Sequence, residues 1–231
     1  TPRVKCVVMS AVEYSHKRCV MDMAFMPPNF EIHQKTGVKR TATHGEANTL
    51  CTIAGDGQML FWDVKSVLHD PENYEKWDLT WSPTFKAPFM TSGPLELGSA
   101  RMAMMDPSTS SNCFIATEEG EVVYGDFIAK KGEDGEAPEY IKTLEQGHFG
   151  VCQAVQASPF YPDIILTVGD WTFSIWKEGL REPIFSSRCS ESLYTSGRWS
   201  PTRPGVMFFG KEDGSIDVWD LTDRSKDPTN N

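Results

Sequence analysis

The 231-residue sequence lacks the motifs and the charge balance that most readily identify an enzyme or a nucleic-acid-binding protein. It contains no GxxxxGK[ST] or GxGxxG stretch, which excludes phosphate-binding loops of those two types. A GxSxG nucleophile elbow is also absent. The net charge of −10 argues against a nucleic-acid partner, because binding to phosphates requires a basic surface.

Membrane, secretion and metal signals are missing as well. No apolar run approaches the roughly 18 residues of a membrane span, so no membrane partner is expected. The sequence shows no signal peptide, and because its first residue is Thr1 rather than Met, we expect the natural start to lie upstream. The six cysteines form no CxxC pair, the five histidines show no i, i+4 spacing, and no glycosylation sequon occurs. The sequence therefore predicts no metal or cofactor and a reducing, intracellular setting.

The chain does contain an internal repeat. Four eight-residue segments align without gaps when an acidic turn residue is placed in register; they start at Asp56, Glu119, Asp170 and Asp213. Each opens with a tight turn, continues with alternating apolar residues and ends in Trp-Asp or a degraded copy of it. A period of two is typical of a β-strand.

Other short apolar runs surround each segment. One run precedes the acidic turn and is expected to form a hairpin with the strand after the turn. A third strand is predicted further upstream. A fourth is predicted after the Trp-Asp position, most clearly at residues 140–144 and 184–187. Four antiparallel strands per repeat make a propeller blade. We therefore predict an all-β WD40 β-propeller with about four blades of a seven-bladed ring, open at both ends.

The repeats divide the chain into five segments. Residues 1–15 are expected to form the outer strand of a preceding blade, and blades follow at residues 16–92, 93–146 and 147–190. Residues 191–231 are expected to form a blade that lacks its last strand, followed by a polar tail.

The spacing of the repeats predicts three insertions. The Trp-Asp positions are 63, 51 and 43 residues apart, whereas a plain WD repeat measures about 40–45 residues. We expect the excess as loops at residues 27–45, 64–77 and 130–138. Loops after the first and third strands of a blade lie on the same face of a propeller, so all three insertions should lie on that face. We therefore predict that a partner docks there.

A buried polar network is expected in two blades. In WD proteins the histidine of a Gly-His pair contacts a strand threonine, the threonine contacts the third-strand tryptophan, and the turn aspartate contacts the histidine. Such networks are costly unless every member is satisfied, so their members tend to occur together. The Gly-His pair is Gly147-His148, and a weaker Ser15-His16 pair stands in the equivalent place ahead of the first blade. Two sets are therefore expected: His16, Thr52, Asp56 and Trp62, and then His148, Thr167, Asp170 and Trp176.

The other two repeats are incomplete. The last keeps Asp213 and Trp219 but has no histidine, and the second has Gly125 where a tryptophan is expected. We expect these blades to be less tightly specified.

Acidic pairs are the feature that most resembles an active site. Glu118 with Glu119, and Glu133 with Asp134 and Glu136, could supply the two carboxylates of a glycosidase. Glu119, however, occupies a repeat turn, and the other group lies in a glycine-rich stretch. We interpret both as solvated acids and predict that the chain is not an enzyme.

Three stretches go beyond a generic WD repeat: residues 147–172 with Gly-His-Phe-Gly-Val and Gly-Asp-Trp-Thr, residues 197–205 with Trp-Ser-Pro-Thr-Arg-Pro-Gly, and residues 116–122. Together they resemble the dynein intermediate chains, and most the axonemal ones. Within that group the chain is most similar to the inner-arm f-type chain, although outer-arm chains share the Gly-Asp-Trp-Thr and Trp-Ser-Pro-Thr-Arg-Pro-Gly stretches. The likeness is strong over residues 95–221 and moderate over the first blade.

The resemblance implies a scaffold. Members of this family place a propeller against the tail of a dynein heavy chain, alongside other intermediate and light chains, in the cytoplasm and in the axonemal cytoskeleton of a cilium or flagellum. The alternative is a WD-repeat adaptor of another complex, either a ubiquitin-ligase substrate receptor or a trafficking-coat subunit. A glycosidase is the third hypothesis.

Overall fold

The computed structural model describes residue 6 and residues 8–41, 47–65, 67, 80–89, 97–105, 110–128 and 139–230. These residues contain seventeen β-strands, arranged as four antiparallel sheets of three or four strands and one separate hairpin. Within the same residues, no helix is long and apolar enough to cross a membrane.

Each large sheet is one blade, and its strands follow one another in space in chain order. Blade 1 contains β1 (Val20–Phe25), β4 (Thr49–Ala54), β5 (Gln58–Asp63) and β6 (Phe85–Pro88). Blade 2 contains β7 (Ser99–Met104), β8 (Asn112–Thr117), β9 (Glu121–Asp126) and β10 (Ile141–Gln146). Blade 3 contains β11 (Cys152–Ala157), β12 (Ile164–Gly169), β13 (Thr172–Lys177) and β14 (Phe185–Ser186). Blade 4 contains β15 (Tyr194–Trp199), β16 (Val206–Lys211) and β17 (Ile216–Asp220). The predicted all-β WD40 propeller is confirmed.

The blades pack side by side through their first strands: β1 contacts β7, β7 contacts β11, and β11 contacts β15. Apolar cores fill the spaces between neighbouring blades, as where Phe173 of blade 3 stacks on Phe209 of blade 4 with ring centroids 4.2 Å apart. Aromatic pairs of this kind bury large apolar areas and dominate the energetics of a core. No comparable contact returns from β15 to β1 among the described strands, so these strands do not close a ring.

The first predicted insertion contains regular structure. Residues 27–45, expected to be a loop, instead hold a hairpin of β2 (Phe30–His33) and β3 (Gly37–Arg40) within their described part. Phe30 and Val38 are buried in the core between blades 1 and 2, where the Phe30 ring lies edge-on to Phe127 at 5.2 Å. The hairpin is thus anchored to the propeller by apolar contacts. The insertion at 130–138, and residues 66 and 68–77 of the other, lie outside the described residues.

The two ends of the described chain lie against blade edges. Residues 1–15 as the outer strand of a preceding blade stay a prediction; within their described part, Ser10 forms a parallel bridge with Trp81, beside blade 1. At the other end Asn230 bridges Val218 on the outer edge of β17, and Val218 N donates to Asn230 O at 2.8 Å. The tail therefore forms one bridge pair, Asn230 with Val218, at the edge where the fourth strand of blade 4 would lie.

Candidate functional site

The structure brings together all four predicted network residues of blade 1. Thr52 Oγ1 accepts a hydrogen bond from Trp62 Nε1 at 2.8 Å and lies 2.9 Å from His16 Nε2. On the other side of the imidazole, His16 Nδ1 lies 3.0 Å from Asp56 Oδ1. All four side chains are buried.

One assignment of protons satisfies this network. If His16 carries its proton on Nδ1, it donates to Asp56, while its Nε2 accepts from the Thr52 hydroxyl. Thr52 then donates to the histidine and accepts from the tryptophan. Asp56 Oδ2 also accepts from the backbone N–H of Lys17 at 2.8 Å, so the aspartate holds both the ring and the loop. Charge-assisted bonds of this kind are stronger than neutral ones.

Blade 3 contains the same arrangement, except that the histidine has a different partner on one side. Trp176 Nε1 donates to Thr167 Oγ1 at 2.8 Å, and Thr167 Oγ1 lies 2.9 Å from His148 Nε2. His148 Nδ1, however, lies 3.1 Å from Thr172 Oγ1 and makes no hydrogen bond with Asp170 in the described structure. The expected contact between Asp170 and His148 is therefore replaced by one from Thr172. Asp170 Oδ2 is buried, and no described residue forms a hydrogen bond with it.

A difference of one residue in the turn explains this replacement. Three residues lie between Thr52 and Asp56, but only two lie between Thr167 and Asp170. In blade 1 the aspartate is followed by Gly57, whose φ of 66° makes the turn, whereas in blade 3 Asp170 itself adopts a φ of 51°. Left-handed φ suits glycine and, among other residues, aspartate. Because Asp170 serves as the turn residue, its carboxylate does not reach the imidazole.

His148 is held in its neutral form. Burial lowers the pKa of His148 to about 4, because the charged imidazolium would lose its hydration and gains no carboxylate partner. A neutral imidazole with one N–H and one lone pair matches the two threonine hydroxyls that contact it.

Blade 4 does not assemble the network. In the strand register, Phe209 occupies the position of Thr52 and Thr167, since Met207 pairs with Trp219 as Ile165 pairs with Trp176. Trp219 Nε1 is therefore buried without a hydrogen-bond partner among the described residues. Asp213 is exposed and accepts hydrogen bonds from Ser215, whose N and Oγ lie 2.8 and 2.6 Å away.

A different polar group occupies blade 4, and sequence reasoning missed it. Lys211 Nζ lies 2.7 Å from Asp217 Oδ1, and the Tyr194 hydroxyl donates to Asp217 Oδ2 at 3.1 Å. The hydrogen bond to Asp217 raises the pKa of Lys211, and burial raises that of Tyr194 to about 12. These side chains and Trp219 line a cavity of about 220 Å³. Asp217 stands at the strand position that is Leu60 in blade 1 and Ser174 in blade 3, so a charged residue at a position that is uncharged in the other blades was the available signal.

In blade 2 an aromatic residue from blade 1 takes the place of the missing tryptophan. A Cβ atom on Gly125 would lie 2.7 Å from Phe89 Cε1 and 2.6 Å from the carbonyl oxygen of Tyr140. Phe89 is fully buried and directly follows β6. Glycine at position 125 is thus required by the close approach of Phe89, a reason that the repeat alone did not reveal.

The first strands of three blades are also joined by one arginine. Arg101 Nε donates to Gln153 O of blade 3 at 3.0 Å, and its Nη1 donates to Met21 O of blade 1 at 3.2 Å. On the same strand, Met102 N donates to Asp22 Oδ2 at 3.0 Å. Together with the buried networks, these bonds stiffen the arrangement of blades 1 to 3.

Two of the acidic residues that resemble a catalytic pair, Glu118 and Glu119, are described, and neither side chain belongs to these networks. Glu119 is exposed in the turn between β8 and β9, and Glu118 lies against Gly98. Glu133, Asp134 and Glu136 fall outside the described residues. In the part of the chain that the structure describes, no three histidine, cysteine or acidic side chains are grouped so as to hold a metal ion.

Sequence comparisons agree with this architecture. The profile of the family described as "Dynein axonemal intermediate chain 3 WD40 domain" matches residues 1–78 and 90–231. The human protein "Dynein axonemal intermediate chain 3" is 30% identical over 97% of this chain and 32% of its own length. "Dynein intermediate chain 3, ciliary" of Heliocidaris crassispina is 33% identical over 97% of this chain and 33% of its own length.

A more distant relative is named for one particular arm. "Dynein, 70 kDa intermediate chain, flagellar outer arm" of Chlamydomonas reinhardtii is 27% identical over 96% of this chain and 34% of its own length. The chain thus spans about one third of the length of these relatives. Because the family profile covers nearly the whole chain, this protein belongs, through its WD40 domain, to the axonemal dynein intermediate chain family.

Proposed function

We propose that this protein is a non-catalytic scaffold subunit of an axonemal dynein arm, where its propeller docks on the tail of the dynein heavy chain and contacts other intermediate and light chains. The match of residues 1–78 and 90–231 to the WD40 domain of axonemal intermediate chains carries this proposal. The protein would act in the cytoplasm and in the axonemal cytoskeleton of a cilium or flagellum, and support its motility. The match does not favour the alternative of a ubiquitin-ligase receptor or a coat subunit.

The motifs of the chain favour an inner arm. The Gly-His-Phe-Gly-Val stretch and its neighbours are most similar to the f-type inner-arm chain, although one relative is named for the outer arm. Cryo-electron tomography of axonemes that carry a tagged copy of the full-length protein would test this assignment. Extra density at the inner-arm position is expected, and density on the outer arm would contradict the proposal.

The β2–β3 hairpin supports a docking role for the face that carries it. Phe30 and Val38 anchor the hairpin in the core, while Glu31, Lys35 and Lys39 are exposed. Because the backbone of the anchored hairpin is already ordered, binding through its charged side chains would restrict only their own rotamers. We therefore assign the heavy-chain contact to this hairpin.

Point substitutions test this assignment better than removal of the insertion, because removal would also take Phe30 and Val38 out of the core. The double variant Lys35→Glu/Lys39→Glu of the full-length protein should fold normally and retain less heavy chain during purification from axonemes. Lys17→Glu is the matched control, since Lys17 is equally exposed beside His16, at the opposite end of the strands. Equal heavy-chain recovery with both variants would refute the hairpin contact.

A further inference from the structure

Three large apolar side chains are exposed together on the face opposite the β2–β3 hairpin. Phe149 is 94% exposed, Trp171 45% and Val151 41%. Phe149 and Val151 belong to the loop between β10 and β11, and Trp171 to the turn between β12 and β13. A Cβ atom on Gly150 would lie 2.7 Å from Asp170 Oδ1, so this loop and this turn are in contact. We call Phe149, Val151 and Trp171 the Phe149 patch.

The strand order places this patch opposite the hairpin. In blade 1 the hairpin joins the end of β1 to the start of β4, whereas the turn at Asp56 follows the end of β4. The turn that carries Trp171 follows β12, the equivalent strand of blade 3, and therefore lies at the same end as Asp56. The patch and the hairpin are thus separated by the length of a strand.

The backbone immediately before Phe149 is held in place. The backbone N–H groups of Gly147 and His148 donate to Gly120 O at 3.1 and 2.9 Å, and the His148 ring is fixed by Thr167 and Thr172. The turn is held as well, because Asp170 O accepts from Tyr194 N and Trp171 O accepts from Ser190 N. The exposure of Phe149 and Trp171 is therefore a property of an ordered surface.

Negative charge borders the patch. The turn that receives the Gly147 and His148 N–H groups carries Glu119, which is exposed, and Glu121, which is half-buried. Partial burial, together with the neighbouring Glu119, raises the pKa of Glu121, as expected where carboxylates crowd one another. Asp170 adds a third carboxylate at the contact with Gly150, and its Oδ2 has no hydrogen-bond partner among the described residues.

We propose that the Phe149 patch binds an apolar segment of another protein that carries arginine or lysine beside its apolar residues. The apolar residues would cover Phe149, Val151 and Trp171, and exposed aromatic side chains on a rigid surface are typical centres of binding energy. The cations match Glu119 and Glu121, and a guanidinium can also stack on an aromatic ring. This surface is separate from the heavy-chain contact assigned to the hairpin, so either contact can exist without the other.

Site-specific photo-cross-linking in the assembled complex tests the occupant. A photoreactive amino acid would replace Phe149 in the full-length protein, with Leu180 as the control because it is 50% exposed in the loop between β13 and β14, at the hairpin's end of the strands. Cross-links from position 149 to an apolar segment that contains arginine or lysine are expected. Cross-links to an acidic segment or to a second copy of this chain, or a yield no higher than at position 180, would overturn the proposal.

Binding of synthetic peptides gives a second readout. The probes are one apolar peptide flanked by arginines and the same peptide flanked by glutamates, each titrated with the full-length protein. The arginine-flanked peptide should bind more tightly, and Phe149→Ala should weaken it about tenfold or more, as for a central interface residue. Glu119→Lys should also weaken it and reduce the dependence of binding on salt, whereas Leu180→Ala should have no effect. Equal binding of both peptides, or full binding by Phe149→Ala, would contradict the proposal.

Discussion

Blades 3 and 4 are neighbours with the same strand order, yet their interiors are held by different chemistry. In blade 3 the Thr167 hydroxyl accepts from Trp176 Nε1 and lies beside His148. In blade 4 Phe209 replaces the threonine, and Trp219 Nε1 has no partner in the described structure. Stacking of Phe209 on Phe173, together with the Lys211–Asp217 ion pair, stabilises blade 4 instead. The strand register therefore does not depend on the polar network, provided that the interior is filled in another way.

The largest expected effect comes from removing the blade 3 tryptophan. Trp176→Ala should lower the free energy of unfolding by about 3–5 kcal/mol, because it leaves a cavity between blades 2 and 3 and leaves Thr167 without its donor. Denaturant unfolding of the protein would measure this change. Trp171→Ala is the control and should cost less than about 1 kcal/mol, since Trp171 lies at the surface and is 45% exposed. Similar losses for both variants would contradict the packing described for blade 3.

The second test uses pH, because His148 is buried in neutral form. Its pKa is about 4 in the folded protein and about 6.5 in an unfolded chain, so between these values only the unfolded chain takes up the proton. Stability is then fully present above about pH 6.5 and falls as the pH drops towards 4, by roughly 3 kcal/mol from this residue alone. NMR titration of the His148 ring would measure the shift directly. A folded-state pKa near 6.5 would contradict it.

The third test concerns blade 2, where restoring the repeat consensus should be harmful. Gly125→Ala should cost about 1–3 kcal/mol, because the new methyl group would overlap Phe89 and the carbonyl group of Tyr140. Gly125→Trp should cost more than Gly125→Ala, although it matches the repeat. Replacing Phe89 with alanine in the Gly125→Trp protein should recover part of the loss. Unfolding curves of the three variants would show whether Phe89 occupies the tryptophan's space.

The smallest expected change in stability comes from the turn aspartate of blade 3, which is compared with the turn aspartate of blade 1. Asp56→Ala should cost about 1.5–3 kcal/mol, because His16 and the Lys17 N–H lose a charged acceptor. Asp170→Gly should change stability by less than about 1 kcal/mol, since it relieves the φ of 51° and removes an unpartnered buried oxygen. A loss for Asp170→Gly as large as that for Asp56→Ala would show that both aspartates hold their histidines.

The sequence predicted those features that depend on local pattern. The alternation of apolar residues and the acidic turns located the hairpins of all four blades. The repeat histidines, threonines and tryptophans were correctly expected to meet in blades 1 and 3, whereas Thr172 was not. Prediction failed where a contact joins distant parts of the chain. Nothing near Gly125 in the sequence points to Phe89, and nothing in residues 27–45 resembles the two short strands that bury Phe30 and Val38.

The amino-acid sequence by itself therefore determined the blade type, the number of repeats and the family, because these follow from the periodic pattern within each repeat. Tertiary structure decided which polar groups reach one another. One residue fewer between Thr167 and Asp170 is enough to replace an aspartate with Thr172 beside His148. Packing between blades also decided that Phe149 and Trp171 lie outside the core. The tryptophans at the Trp-Asp positions, Trp62, Trp176 and Trp219, are buried instead. The physical reason is that burial and hydrogen bonding depend on distances between blades, and those distances are set only when the sheets pack together.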